Sequence, residues 1–177
     1  MAERVVHEFG PVVDVKSRVL ILGSFPSVKS REQNFYYGHP QNRFWKVLAK
    51  LVGSDVPITI EEKKAFLLAN GIAVWDVIAS CEIEGSSDSS IRDVAANDIA
   101  GLLQESRELA EAVSGDPGEN FGGIKKVFAN GDKAFQLYKK YCQKSAGVEA
   151  VKLPSTSPAN AAWSLERLAE SWKVILD

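Results

Sequence analysis

Short apolar runs alternate with amphipathic stretches along this chain of 177 residues. Val19-Leu20-Ile21-Leu22 is interrupted by no polar residue and reads as a buried strand. Residues 41–52 place Phe44, Val47, Leu48 and Leu51 at i, i+3, i+4 and i+7, the stripe of a helix. Residues 61–70 open Glu/Lys-rich and run to Gly71, a C′ stop for a second helix. Ile72-Ala73-Val74-Trp75, Lys126-Val127-Phe128-Ala129 and Ala150-Val151-Lys152-Leu153 read as further strands. A helix is expected over residues 97–105, running on towards Glu111, and another through Ala134, Leu137, Tyr138 and Tyr141, with Asn130 or Asp132 as its cap. The chain closes on an amphipathic helix through Leu165, Leu168, Ala169, Trp172 and Ile175. Ser114 to Asn120 is polar and turn-rich, a surface loop or insertion.

This alternation predicts an α/β fold: three layers, αβα, around a central, mainly parallel four-stranded sheet with helices on both faces. The length fits one domain over residues 1–177, able to bury about 70% of its unfolded surface. Ligands in such folds bind beyond the carboxyl ends of the strands. Three polar segments follow those ends, Gly23–Ser30, Asp76–Ser90 and Pro154–Asn160, and they are predicted to converge.

Composition narrows the function classes. Hydrophobic residues make up 45% and charged residues 25%, as in ordinary soluble proteins. No apolar stretch approaches the roughly 20 residues that cross a bilayer, and Met1-Ala2-Glu3-Arg4 lacks a signal peptide's apolar region, so a cytoplasmic protein without membrane partners is expected. Net charge is 21 − 23 = −2, so no global basic field advertises nucleic acid, although local amides and hydroxyls can still grip a few phosphates. Cys81 and Cys142 form no CxxC pair and, with only His7 and His39 besides, too few ligands exist for a metal site; no metal or cofactor is predicted, and both cysteines read as buried small hydrophobes.

Candidate chemistry begins at Gly23-Ser24-Phe25-Pro26-Ser27-Val28-Lys29-Ser30, close in outline to a phosphate loop. The pattern needs a second glycine where Val28 stands, and Pro26 removes an amide, so Ser27 or Ser30 capping a turn is the plainer reading. A second segment runs Asn34-Phe35-Tyr36-Tyr37-Gly38-His39-Pro40-Gln41-Asn42-Arg43-Phe44-Trp45. Phe44 reads as core, whereas the tyrosines also form a stacking platform for a planar base. An Asn near a helix N-terminus can hold a water through its side-chain carbonyl. The third segment, Leu153-Pro154-Ser155-Thr156-Ser157-Pro158-Ala159-Asn160, sets hydroxyls and free amides on a proline-stiffened loop, suited to phosphate oxygens or to a wedge in a duplex.

In order and at this spacing the three segments resemble the uracil-DNA glycosylase superfamily, closest to its hypoxanthine-DNA (deoxyinosine) glycosylase branch, over Val19 to Asn160. The resemblance implies that fold, no cofactor, and hydrolysis of the N-glycosidic bond of deaminated bases in double-stranded DNA, by a monomer. The mismatch-specific relatives read Gly-Ile-Asn-Pro-Gly where this chain has Gly23-Ser24-Phe25-Pro26-Ser27, so Phe25 takes the place of their catalytic Asn. The hypoxanthine branch lacks that Asn and relies on a His-Pro-x-Asn-x-Phe-Trp segment, here His39-Pro40-Gln41-Asn42-Arg43-Phe44-Trp45. That carries the water-positioning role to Asn42 and base stacking to Tyr37, with Phe25 as a second ring. Amides of Ser24–Ser27 would hold the base carbonyl, Ser155 and Ser157 the flanking phosphates, and Asn160 the gap in the duplex. His39 reads first as a lock on its own loop and second as a catalytic group, Asp76 first as a turn cap and second as a general base, and Ser87–Ser90 as a solvated loop. Two readings of another class stand beside the enzyme: a nucleotide or nucleoside binder using the Gly23 loop, and a DNA-lesion binder that has lost its chemistry.

Overall fold

The uninterrupted run at 19–23 forms the inner strand β2 (Val19–Gly23), with all five residues buried. It pairs in parallel with β3 (Ile72–Asp76) on one side and β6 (Lys126–Asn130) on the other, and β6 pairs in parallel with β7 (Ala150–Leu153). The sheet order is therefore β3-β2-β6-β7, all parallel, as the alternation of strand and helix predicts. The structure, a computed structural model, describes residues 2–113 and 122–177, so the turn-rich stretch 114–120 lies outside the described residues.

Because side chains alternate across a strand, β2 feeds two cores at once. Val19 and Ile21 face α2 (Phe44–Val52), α3 (Ile60–Ala69) and α7 (Leu165–Trp172), through Phe44, Leu48, Leu67, Leu168 and Trp172. Leu20 and Leu22 face α4 (Ile99–Val113) and α5 (Asp132–Tyr141), through Ile99, Leu103, Leu137 and Tyr138. Each fully buried aliphatic side chain of β2 contributes about 1.5–3 kcal/mol. Helix α3 starts at a capping box, in which the Thr59 hydroxyl accepts from the Glu62 N–H at 3.1 Å, and stops as predicted before Gly71, whose φ of 68° suits glycine. Helix α5 departs from expectation: Gly131 precedes it, and neither Asn130 nor Asp132 caps it.

Apolar patterning did not reveal a second sheet. β1 (Glu3–Val6), β4 (Ile78–Ile83) and β5 (Arg92–Ala96) form an antiparallel sheet in the order β1-β4-β5. The first half of the polar segment expected after Asp76 is thus strand, burying Ile78, Cys81 and Ile83 in the second core. Its pairing with β5 shifts register twice and its polar positions break strict alternation, so no clean period appears in the sequence. The short helices α1 (Val28–Gln33) and α6 (Gln143–Ala146) and 3-10 turns at Asp88–Ser90 and Lys173–Leu176 complete the chain.

Candidate active site

The polar segments after the strands do converge. Gly23–Ser27, Tyr37, His39, Asn42, Asp76, Asp88, Asn130 and Ser155–Ala159 line one cleft of about 360 Å³ beyond the carboxyl ends of β2, β3, β6 and β7. β2 is the switch point of the sheet, with β3 to one side and β6 to the other. A larger groove of about 690 Å³ between β1 and α1 gathers none of these groups.

In the first segment, Ser27 caps α1 by accepting from the Ser30 N–H at 3.2 Å. The Ser30 hydroxyl accepts from the Gly38 N–H at 2.9 Å, tying this loop to the aromatic segment. The Val28 N–H is spent on the Ser86 hydroxyl, so the loop does not offer the wrap of amides that a nucleotide's phosphates need. The amides of Ser24, Phe25 and Ser27 have no acceptor among the described residues and stand at the cleft. Phe25 is 9% exposed, its ring edge-on to His7 and under the Arg31 guanidinium.

The second segment separates the two tyrosines. Tyr36 is core, its hydroxyl donating to the Gly10 carbonyl at 2.8 Å. Tyr37 lies at φ 52°, a strained setting for a bulky residue, and stacks on Phe44 with ring centroids 3.9 Å apart and planes 19° apart. Burial pushes its phenol up, the Asp76 charge adds to that, and the nearby Asn130 amide opposes it; among the described residues the hydroxyl makes no hydrogen bond of normal geometry. His39 does lock its loop: Nδ1 accepts from the Gln41 N–H at 3.1 Å and its carbonyl from the Asn42 N–H at 3.0 Å.

Asn42 is held by a relay across the cleft wall. Its Oδ1 accepts from the Phe44 N–H at 3.0 Å and from the Thr156 hydroxyl at 2.8 Å. Thr156, wholly buried, in turn accepts from Asn130 Nδ2 at 2.9 Å, and Asn130 Oδ1 accepts from the Thr156 N–H at 3.0 Å. Since a backbone N–H can only donate, the oxygen of Asn42 is the atom facing Phe44. Its carbonyl is therefore committed to two donors, and Nδ2 is its polar group without a partner among the described residues. The water-holding carbonyl expected from sequence is already engaged.

The third segment is braced from below. Arg43 reaches the carbonyls of Trp163, of Asn160 at 3.0 Å and of Ser157 at 3.5 Å, while its N–H donates to the Thr156 carbonyl at 3.0 Å. Ser155 Oγ accepts from the Ser157 N–H at 3.1 Å, and Ser157 Oγ from the Ala159 N–H at 3.2 Å. Asn160 does not line the cleft; it lines the adjoining groove, and its side chain donates to the Ser155 carbonyl at 3.0 Å.

Two acidic side chains complete the cleft. Asp88 belongs to the stretch read as a solvated loop, yet its carboxylate accepts from the Ser24 hydroxyl at 3.0 Å. Although the residue is exposed, burial of the carboxyl pushes its pKa up; the Ser24 hydroxyl and Lys133 oppose this and the Asp76 charge reinforces it. Asp76 does not cap a turn with its side chain: Oδ2 meets His7 Nε2 at 2.7 Å. Asn130 could have been picked out as the residue ending a strand, and Thr156 lay inside a segment already singled out. Nothing in the sequence pattern marks Asp88 or His7.

A family model described as the uracil DNA glycosylase superfamily matches residues 10–177. The chain belongs to the uracil DNA glycosylase superfamily. A hypoxanthine DNA glycosylase from Methanosarcina acetivorans is 34% identical over 168 residues, covering 94% of this chain and 95% of the relative. One from Methanosarcina barkeri is 32% identical over 165 residues, covering 93% of each. The solution NMR structure of a candidate uracil DNA glycosylase from Methanosarcina acetivorans superposes with a TM-score of 0.73 at 33% identity, over 95% of this chain and 94% of that one.

Proposed function

We propose that this DNA glycosylase hydrolyses the N-glycosidic bond of deaminated bases in DNA, with hypoxanthine as its main substrate. The observation that carries the reading is the cleft itself: three amides without an acceptor among the described residues, a stacked aromatic ring and an anchored Asn42 meet at the ends of the parallel strands. The relatives named hypoxanthine DNA glycosylase, similar over nearly the whole chain, point to the same base.

A duplex hides the glycosidic bond, so the nucleotide is flipped into the cleft at a cost of a few kcal/mol, less for a mispaired base such as hypoxanthine. Stacking on Tyr37 offsets about 1–3 kcal/mol. As the bond from C1′ to the base nitrogen breaks, its electron pair stays on the base and C1′ becomes cation-like. The amides of Ser24, Phe25 and Ser27 hydrogen-bond the base carbonyl and stabilise that anion. A water adds its oxygen to C1′, and its released proton neutralises the base. Asn42 orients this water through Nδ2; a cation-like sugar demands placement of the water more than its deprotonation. Ser155 and Ser157 approach the flanking phosphates on the loop that Arg43 braces. The protein acts as a monomer on double-stranded DNA carrying deaminated or mismatched bases.

Duplex oligonucleotides carrying inosine, uracil, xanthine or a T·G mismatch, incubated with the protein and then cleaved at abasic sites by alkali, test the reading. Scission at inosine is expected. Failure at all four lesions, with tight binding to inosine DNA, would make the protein a lesion binder without chemistry.

A further inference from the structure

The His7–Asp76 pair beneath the cleft has no part in the chemistry above. Both side chains are shut away from solvent, at 2% and 5% exposure, and Nε2 stands 2.7 Å from Oδ2. The His7 N–H donates to the Ala79 carbonyl at 2.8 Å, continuing the pairing of β1 with β4, so the antiparallel sheet delivers the ring. Phe9 packs at 4.4 Å between ring centroids, and Phe25 and Tyr36 each at 6.0 Å. His7 Nδ1 is buried without a partner among the described residues. An Nε2–H donated to the carboxylate leaves a bare lone pair at Nδ1, which costs less to bury than an unsatisfied N–H would. Asp76 is pinned further by Asn97 Nδ2, which donates to its backbone carbonyl at 2.9 Å. Its other oxygen, Oδ1, packs on Gly23 at the strand end, next to the unpartnered Tyr37 hydroxyl, and the residue lines the cleft.

Resting on the glycosylase reading, we propose that His7 is a positioning residue that sets base selectivity through Asp76. With Oδ2 held by the imidazole, Asp76 presents Oδ1 as a fixed acceptor to the edge of a flipped base. Deamination of adenine to hypoxanthine turns N1 from a lone pair into an N–H, which a carboxylate accepts. Adenine offers a lone pair there and is repelled. A site whose buried acceptor needs that N–H rejects the analogue lacking it far more strongly than shape alone can.

The test is single-turnover cleavage of duplexes containing inosine or adenine by wild type, His7→Leu, His7→Gln and His7→Asn, with each variant's melting temperature measured. Gln carries its amide near the position of Nε2, whereas Asn reaches only that of Nδ1. His7→Leu and His7→Asn are expected to lose roughly 10- to 100-fold in kcat/KM on inosine, the size of a hydrogen bond to a charged group, and to narrow the preference over adenine. His7→Gln is expected to recover most of both. If Leu does not fold, the Gln and Asn pair decides alone. Equal activity and selectivity of Gln and Asn at equal melting temperature would overturn the inference. No cleavage by wild type would instead sink the glycosylase reading.

Discussion

The Thr156 hydroxyl donates to the side-chain carbonyl of Asn42 at 2.8 Å, joining a residue before α2 to one after β7, 114 positions away. The same hydroxyl accepts from Asn130 at the end of β6, so its one proton has a single direction to go. This relay, with the Phe44 N–H, fixes which end of the Asn42 amide is free.

Replacing Thr156 by Val keeps the shape and removes the relay. The Asn130 amide and one lone pair of Asn42 then lose their partner in a buried setting, at a cost of about 1–3 kcal/mol. Chemical denaturation should report that loss. Single-turnover cleavage of inosine DNA should slow by roughly 10-fold or more as Asn42 gains freedom to rotate.

Asn42→Ser removes the amide while leaving a hydroxyl that can accept from the Phe44 N–H. The buried Thr156 hydroxyl loses its acceptor, so stability should fall by about 1–3 kcal/mol. The amide Nδ2 is gone, and the single-turnover rate should fall by roughly 100-fold while binding to inosine DNA is kept. An unchanged rate would remove Asn42 from the mechanism.

Gly23→Ala tests the crowding at the strand end. A Cβ there would run into Asp76 Oδ1 and stand 3.1 Å from the Tyr37 hydroxyl. Asp76 is held by His7 and cannot give way freely. A loss of about 1–3 kcal/mol in stability is expected, together with poorer cleavage. Calorimetry and the abasic-site assay measure the two effects.

Asp88 makes a prediction with a sign. Its carboxyl is raised in the folded state, chiefly by burial, so the folded protein binds the proton more tightly than the unfolded chain. Between the ordinary carboxylate pKa and the raised one, stability therefore falls as pH increases, and above that window the ionised group is a constant penalty. Asp88→Asn should melt higher than wild type at neutral pH, and the gap should close on acidification through the window. Removing this negative charge should also strengthen binding to the DNA backbone. Thermal melts across pH and binding measured against salt would show both.

Much of this was legible in one dimension. The apolar run at 19–22 marked the inner strand because a strand buried on both faces tolerates no polar residue, and three shorter, mainly apolar runs, with Lys126 and Lys152 at exposed positions, marked its parallel partners. With those strands located, their carboxyl ends located the cleft, and the segments around Ser24, Asp76 and Ser155 followed, while Asn42 was marked by the aromatic segment before a helix and by the family resemblance. The antiparallel sheet was not legible: β1 is largely exposed and β4 interleaves apolar with polar positions through register shifts. Pairing between strands more than 70 residues apart leaves no local period.

The sequence by itself thus determined the layers of the fold and the residue types brought to the cleft, because burial periodicity and strand-end chemistry are local properties. Only the tertiary structure decided what each polar atom is free to do. Hydrogen-bond partners are set by contacts across the whole chain, and those contacts made Tyr36 core, committed the Asn42 carbonyl to Thr156, and set His7 behind Asp76.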